Sequence, residues 1–219
     1  MCNKGNTIML AYTICFGLPC LAQNQTIKPD LSNRNSFQLV NRDVTLSTNE
    51  QGKTIVHLNN KPGNGVAWIK NLSFEKGVIE FDAKGKNILQ QSFIGIAFHG
   101  VNDSTFDAVY FRPFNFQSLD TLRKSHSVQY VSLPQNDWSM LREKYPGKYE
   151  NASLMEIDPE SWFHVKVVVD ANTIAVFANG EGRPSLVVKP LANQSKGKVG
   201  FWVGNNSDGD FSNLSIQNN

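Results

Sequence analysis

Two stretches of the chain thread polar side chains through apolar runs: Ala108-Val109-Tyr110-Phe111-Arg112-Pro113-Phe114-Asn115-Phe116 and His126-Ser127-Val128-Gln129-Tyr130-Val131-Ser132. Successive side chains of an extended segment point to opposite faces. If Val109 and Phe111 face a core, Ala108, Tyr110 and Arg112 share the other face, and Ser127, Gln129 and Val131 alternate with Val128 and Tyr130 in the same way. Pro113 forces the backbone of Arg112 to extend and directs its guanidinium outward from a strand end. Such a face suits recognition of a polar ligand, with His99, Tyr110, Arg112, Asn115, Gln129, Tyr130 and Trp138 as the candidate contacts. The competing reading of Arg112 is an anchor that holds a loop through a buried ion pair or backbone carbonyls.

Groups for proton transfer are fewer. Between Pro134 and Ile157 the strand pattern lapses, and Asp137 is placed to cap a short helix with Trp138, Leu141 and Tyr145 on one face, ended by Pro146-Gly147. Glu143 and Glu150 are free to turn from this stretch into a cleft, or simply to be solvated. Cleavage of a glycosidic bond commonly uses two carboxylates about 5 to 9 Å apart. Glu80-Phe81-Asp82 places a pair on one strand face, read as the solvent face of an outer strand. His57, His99, His126 and His164 lack the i, i+2 or i, i+4 spacing of a shared metal site, so no metal ligand is assigned. Asn205-Asn206-Ser207-Asp208-Gly209-Asp210 has oxygen-bearing side chains that suit calcium, but no bidentate glutamate follows, and a hairpin turn wants the same residues. No cofactor is expected, calcium at this loop being the one candidate.

The elements that must position these groups read as strands. Phe37–Val40, Thr54–Leu58, Gly77–Ala83 and Ser92–His99 are early ones, Gly95 marking a bulge, a close approach or a ligand, or packing against an aromatic across the sheet. In the last third, Trp162, His164, Lys166 and Val168 alternate with Phe163, Val165, Val167 and Val169, Asn179-Gly180 supplies turn chemistry, and KVGFWVGN precedes a closing Phe211-Ser212-Asn213-Leu214 strand. Strands in quick succession imply antiparallel sheets. Taken together, this ending resembles the concanavalin A-like jelly roll, and more narrowly the secreted bacterial domains called 3-keto-disaccharide hydrolases, which close on a Gly-rich strand and an FRNL-type strand; here the counterpart is Asp210-Phe211-Ser212-Asn213-Leu214.

The resemblance implies an all-β, concanavalin A-like antiparallel sandwich with one short rim helix, and carbohydrate as the partner. Jelly-roll glucanases carry E-x-D-x-x-E on one strand; Glu80 and Asp82 match, but position 85 is Gly, which argues against that activity. The narrower resemblance implies cleavage of an oxidised sugar, needing a base and a stabiliser of the enolate. Glu143, Glu150 and His126 are the catalytic candidates, with His99 a further base and Arg112 the stabiliser. The family's acid in an E-x-Q strand is missing from His126-Ser127-Val128-Gln129. A non-catalytic domain therefore takes precedence, in which Tyr110, Tyr130 or Trp138 stack on a sugar while Arg112, Asn115 and Gln129 bond its hydroxyls. The hydrolase is the alternative, and a structural envelope-associated domain with no small ligand the third reading.

Lys4, the apolar stretch Ile8–Leu21 and small residues around a cleavage after Ala22 read as a signal peptide over residues 1–22, which implies a secreted or periplasmic chain. Acylation at Cys20 is the rival, on a poor lipobox. A polar arm, 23–36, and one sandwich domain, 37–219, would follow. Cys2, Cys15 and Cys20 all fall within the leader, so neither a disulfide nor a thiolate site is expected beyond it. With 21 basic and 19 acidic residues and no cationic stripe, nothing favours nucleic acid, no transmembrane segment is expected, and a neutral ligand fits better.

Overall fold

The computed structural model describes Met1 and residues 26–219. The rest of the expected leader, with its three cysteines and the rival acylation site at Cys20, lies outside the described residues. Two antiparallel sheets stack face to face, their strands numbered in chain order. The first runs β13 (Leu186–Val188), β12 (Ile174–Ala178), β11 (Phe163–Val169), β6 (Gly77–Lys84), β15 (Ser207–Asn218), β4 (Thr54–Lys61), β3 (Val44–Thr48), with β1 (Thr26–Ile27) also on β15. The second runs β10 (Glu150–Asn151), β9 (Val128–Leu133), β8 (Phe106–Phe111), β7 (Ile94–Gly100), β14 (Gly197–Val203), β5 (Gly65–Phe74), β2 (Phe37–Val40). The chain changes sheet at each step from β4 to β7 and again from β13 to β15, the winding of a jelly roll.

Alternation builds the core. In β11, Phe163, Val165, Val167 and Val169 are buried between the sheets, while His164, Lys166 and Val168 look outward. Phe81 and Phe211 of the first sheet meet Phe201 of the second, Phe201 stacking on Phe211 at 4.6 Å, and Phe111 meets Phe163 edge to face at 5.1 Å. Each such ring contributes about 1.5–3 kcal/mol by leaving water. Asn179 (φ 48°) and Gly180 (φ 71°) both take the left-handed conformation, as that pair's turn chemistry predicts. The stretch read as an arm is, from Thr26, laid along the sandwich: β1 pairs with Ile216 and Gln217, and Leu31 is buried.

Among the described residues two α-helices stand where one was expected. α2 (Trp138–Lys144) is the rim helix, and Asp137 caps it by accepting from Met140 N at 2.9 Å. α1 (Thr121–Lys124) is a single turn capped by Asp120, too short to print an apolar period in the sequence. Among the described residues no helix is long and apolar enough to cross a membrane.

Candidate functional site

Ladder register assembles the site on the second sheet's outer face, the side turned away from the first sheet. Glu150 pairs with Gln129, Gln129 with Tyr110, Tyr110 with Gly95, and Gly95 with Trp202, so these side chains form one row. Gly95 is required there: a Cβ would stand 2.1 Å from Val109 O and 2.6 Å from Tyr110 Cα. Its absence lets the Tyr110 and Trp202 rings meet at 4.8 Å, so the glycine serves packing across the sheet.

Arg112 extends beyond this row and does the anchoring work of the competing reading. Its backbone N donates to Ser127 O at 2.8 Å, and Nη1 donates to His126 O at 2.7 Å, which anchors the loop. Nη2 donates to Tyr110 Oη at 2.9 Å and Gln129 Oε1 at 3.3 Å, and the guanidinium lies 5.0 Å over the Tyr110 ring and 5.7 Å over Phe93. The Gln129 amide is fixed in turn, donating to Tyr130 O and Tyr149 O at 3.0 Å each. Three hydrogen-bond partners thus hold a side chain that lines a cleft.

Glu150 arrives on the two-residue strand β10 with its carboxylate 4% exposed. Arg142 of α2 clamps it, Nε to Oε1 at 2.9 Å and Nη2 to Oε2 at 2.6 Å, while Arg112 Nη1 stands 3.8 Å from Oε2 and His126 Nε2 3.4 Å from Oε1. The bonds from Arg142 to Glu150 raise the arginine's already high pKa. Burial lowers the pKa of His126, Glu150 opposes that and the two arginines add to it. Burial likewise raises the Tyr110 phenol. With both carboxylate oxygens engaged by Arg142, Glu150 serves as a counterion holding α2 to the sheet.

The cleft, ≈ 480 Å³, is walled by Phe93, Phe114 and Trp138 with Arg112, Asn115, Arg123, His126 and Arg142 among them. A second hollow of ≈ 150 Å³ shares Phe93, Trp138 and Asn205 with it and reaches Tyr110, Val131 and Trp202. Trp138 is 48% exposed, and the Arg142 guanidinium lies 5.1 Å from its ring centroid. Two buried polar atoms of these walls, Asn115 Oδ1 and Trp202 Nε1, have no hydrogen-bond partner.

The structure thus brings together Tyr110, Arg112, Asn115, His126, Gln129, Trp138 and Glu150. It separates three other candidates. Glu143 is on the exposed side of α2 and lines neither hollow. Tyr130 alternates with Gln129 and so faces the sandwich interior, where its hydroxyl donates to Asp107 Oδ1 at 2.7 Å and accepts from Leu191 N at 3.0 Å. His99 takes φ 53°, which breaks the alternation of β7; Nδ1 contacts Asp107 at 2.8 Å and Nε2 contacts Glu75 O at 2.7 Å, leaving neither nitrogen free. The sequence reading missed Phe93, Arg123, Arg142, Trp202 and Asn205. Only Arg142 carried a signal, lying four residues after Trp138 on one helix face.

Other candidate chemistry is engaged elsewhere. Glu80 and Asp82 do face solvent, but from β6 in the middle of the first sheet, where Asp82 Oδ1 meets His164 Nδ1 at 2.8 Å. At Asn205–Asp210, a short turn that runs into β15, Asn206 has φ 53°, Asp208 pairs with Lys86 and Asp210 with His57. Among the described residues no group of three or more His, Cys, Asp or Glu is arranged to hold a metal ion.

No family model and no curated protein matches the sequence. Solved structures do. The carbohydrate-binding module CBM66 from Bacillus subtilis superposes with a TM-score of 0.57 at 14% identity, over 86% of this chain and 100% of that one. The β-glucanase of Bacillus licheniformis gives 0.55 at 12%, over 91% and 99%. The fold is the concanavalin A-like jelly roll. The exoplasmic/lumenal domain of VIP36, in its Ca2+/Man3GlcNAc-bound form, gives 0.52 at 12%, over 88% and 87%. At these identities the likeness is one of fold, and it is a fold found in sugar-binding modules and glycosidases alike.

Proposed function

We propose that this chain is a carbohydrate-binding domain whose ligand lies in the cleft beside Arg112. The observation that carries this reading is the make-up of the cleft. Aromatic faces at Phe93, Phe114 and the half-exposed Trp138 wall a hollow into which a guanidinium is held by Tyr110, Gln129 and the His126 carbonyl. Sugars bind surfaces of this kind because their C–H faces pack on aromatic rings while fixed donors and acceptors select among their hydroxyls. The fold neighbours that bind or act on carbohydrate support the class of ligand. The predicted leader would carry the domain out of the cytoplasm, where such polymers are met.

Hydrolysis takes second place because its chemistry lacks parts. One carboxylate, Glu150, stands beside Arg112, and Arg142 holds both its oxygens. Among the described residues the histidine next to it, His126, has no acid in contact besides Glu150. The deciding experiment incubates the purified chain with native and 3-keto glycosides, following released sugar and, by titration calorimetry, binding. Saturable binding weakened about tenfold by Trp138→Ala, with no sugar released, is expected. Turnover abolished in Glu150→Gln would instead make the cleft a hydrolase.

A further inference from the structure

We infer that the sugar taken by the cleft carries an acid group. This deepens the carbohydrate reading and rests on it. The chain as a whole is nearly balanced at +2, which pointed to a neutral ligand, but the cleft does not share that balance. Arg112, Arg123 and Arg142 all line it, and the one carboxylate in contact with any of them, Glu150, meets only Arg112 and Arg142. The nearby Asp120 and Asp137 are engaged by backbone N–H groups as caps of α1 and α2.

Arg123 is the telling member. Among the described residues it makes no ion pair, and its guanidinium has one long bond, Nη2 to Phe114 O at 3.4 Å. A planar fork of donors with no acidic partner, at the edge of a partly enclosed cleft, is built to receive a carboxylate or sulfate, and the low-dielectric walls concentrate its field. The second observation is of opposite polarity. Asn115 is 4% exposed, lines the same cleft, and its Oδ1 accepts nothing. An unpaired buried acceptor is costly and calls for a donor from the occupant. A ligand with an acid group for the arginines, hydroxyl donors for Asn115 and a C–H face for Trp138 is an acidic sugar, its acid supplied by a uronate carboxylate or a sulfate ester.

The test compares four probes by calorimetry on the purified chain: oligomers of galacturonic acid, of glucuronic acid, of sulfated galactose and of neutral galactose. Binding of at least one acidic series is expected, weakened about tenfold by Arg123→Gln, while Asn115→Leu weakens it further without loss of thermal stability. The uronate and sulfate arms tell which acid is read. Affinity for the acidic series should also fall as salt rises. Equal binding of neutral and acidic oligomers, unmoved by Arg123→Gln, would overturn this inference and leave carbohydrate binding standing. Failure of all four to bind would overturn both.

Discussion

Arg142 and Glu150 are joined by two parallel hydrogen bonds, 2.9 and 2.6 Å long, that tie helix α2 to the end of the second sheet. The pair does more than balance charge. It fixes the helix that carries Trp138, and it leaves Arg112, 3.8 Å from the same carboxylate, oriented by neutral partners as well.

Glu150→Gln should therefore cost stability. Breaking a fully buried pair costs about 3–5 kcal/mol, and because the Arg142 side chain is 34% exposed the expected loss is about 2 kcal/mol. Urea unfolding measures it directly. A variant as stable as the parent would mean that the clamp contributes no net energy.

The two outward histidines predict opposite pH effects. His126, beside Glu150, Arg142 and Arg112 and near Asp120, has a pKa depressed below 6.5 chiefly by burial. Its share of stability is present above pH 6.5 and is lost as pH falls through the depressed value. His164 is raised above 6.5, mainly by its bond to Asp82, so its share is full below 6.5 and is lost as pH rises through the raised value. Unfolding free energies of His126→Asn and His164→Asn, taken from pH 5 to pH 8, should tilt in opposite directions relative to the parent.

Gly95→Ala should destabilise the fold by about 1–3 kcal/mol, the range for overpacking, because the new methyl collides with the backbone of β8 and separates Tyr110 from Trp202. Thermal melting gives the loss, and a reduced exciton signal of the paired rings in near-ultraviolet circular dichroism gives its location. Unchanged spectra would show that the rings do not depend on the glycine.

Asp137→Ala removes the cap of α2 at a cost of about 1 kcal/mol. Since Trp138 is the first residue of that helix, glycan affinity should fall alongside stability, whereas Asp120→Ala uncaps α1 and should act through Arg123, weakening acidic oligomers more than neutral ones. Calorimetry on both variants separates the two helices.

Much of the fold was legible because period-two alternation is printed in β11, β14 and β15, and the Asn179-Gly180 turn and the Asp137 cap are local signals. Arg112 and Gln129 were legible for the same reason, each lying on a strand whose apolar partners mark the other face. Glu150 was named, but its role was not legible: a two-residue strand has no period, and the spacing of Arg142 from Trp138 says nothing of a carboxylate eight residues on. Arg123 of α1 and the loop residues Phe93 and Asn205 lie far apart in sequence, and only the folded chain puts them around one hollow. His99 and Tyr130 failed in instructive ways. A single left-handed residue turned the first out of its strand's alternation, and the second could not share a face with its neighbour Gln129.

The strand that delivers Glu150 is also the rim of its sheet. Its two residues leave almost no row of free amides and carbonyls for another molecule to extend, and the opposite rim, β2, is only four residues long. Bare sheet edges are where sandwiches stick to one another and grow into aggregates. Ending the ladder with a buried ion pair instead of a longer strand leaves this side of the sheet little edge for another chain to extend.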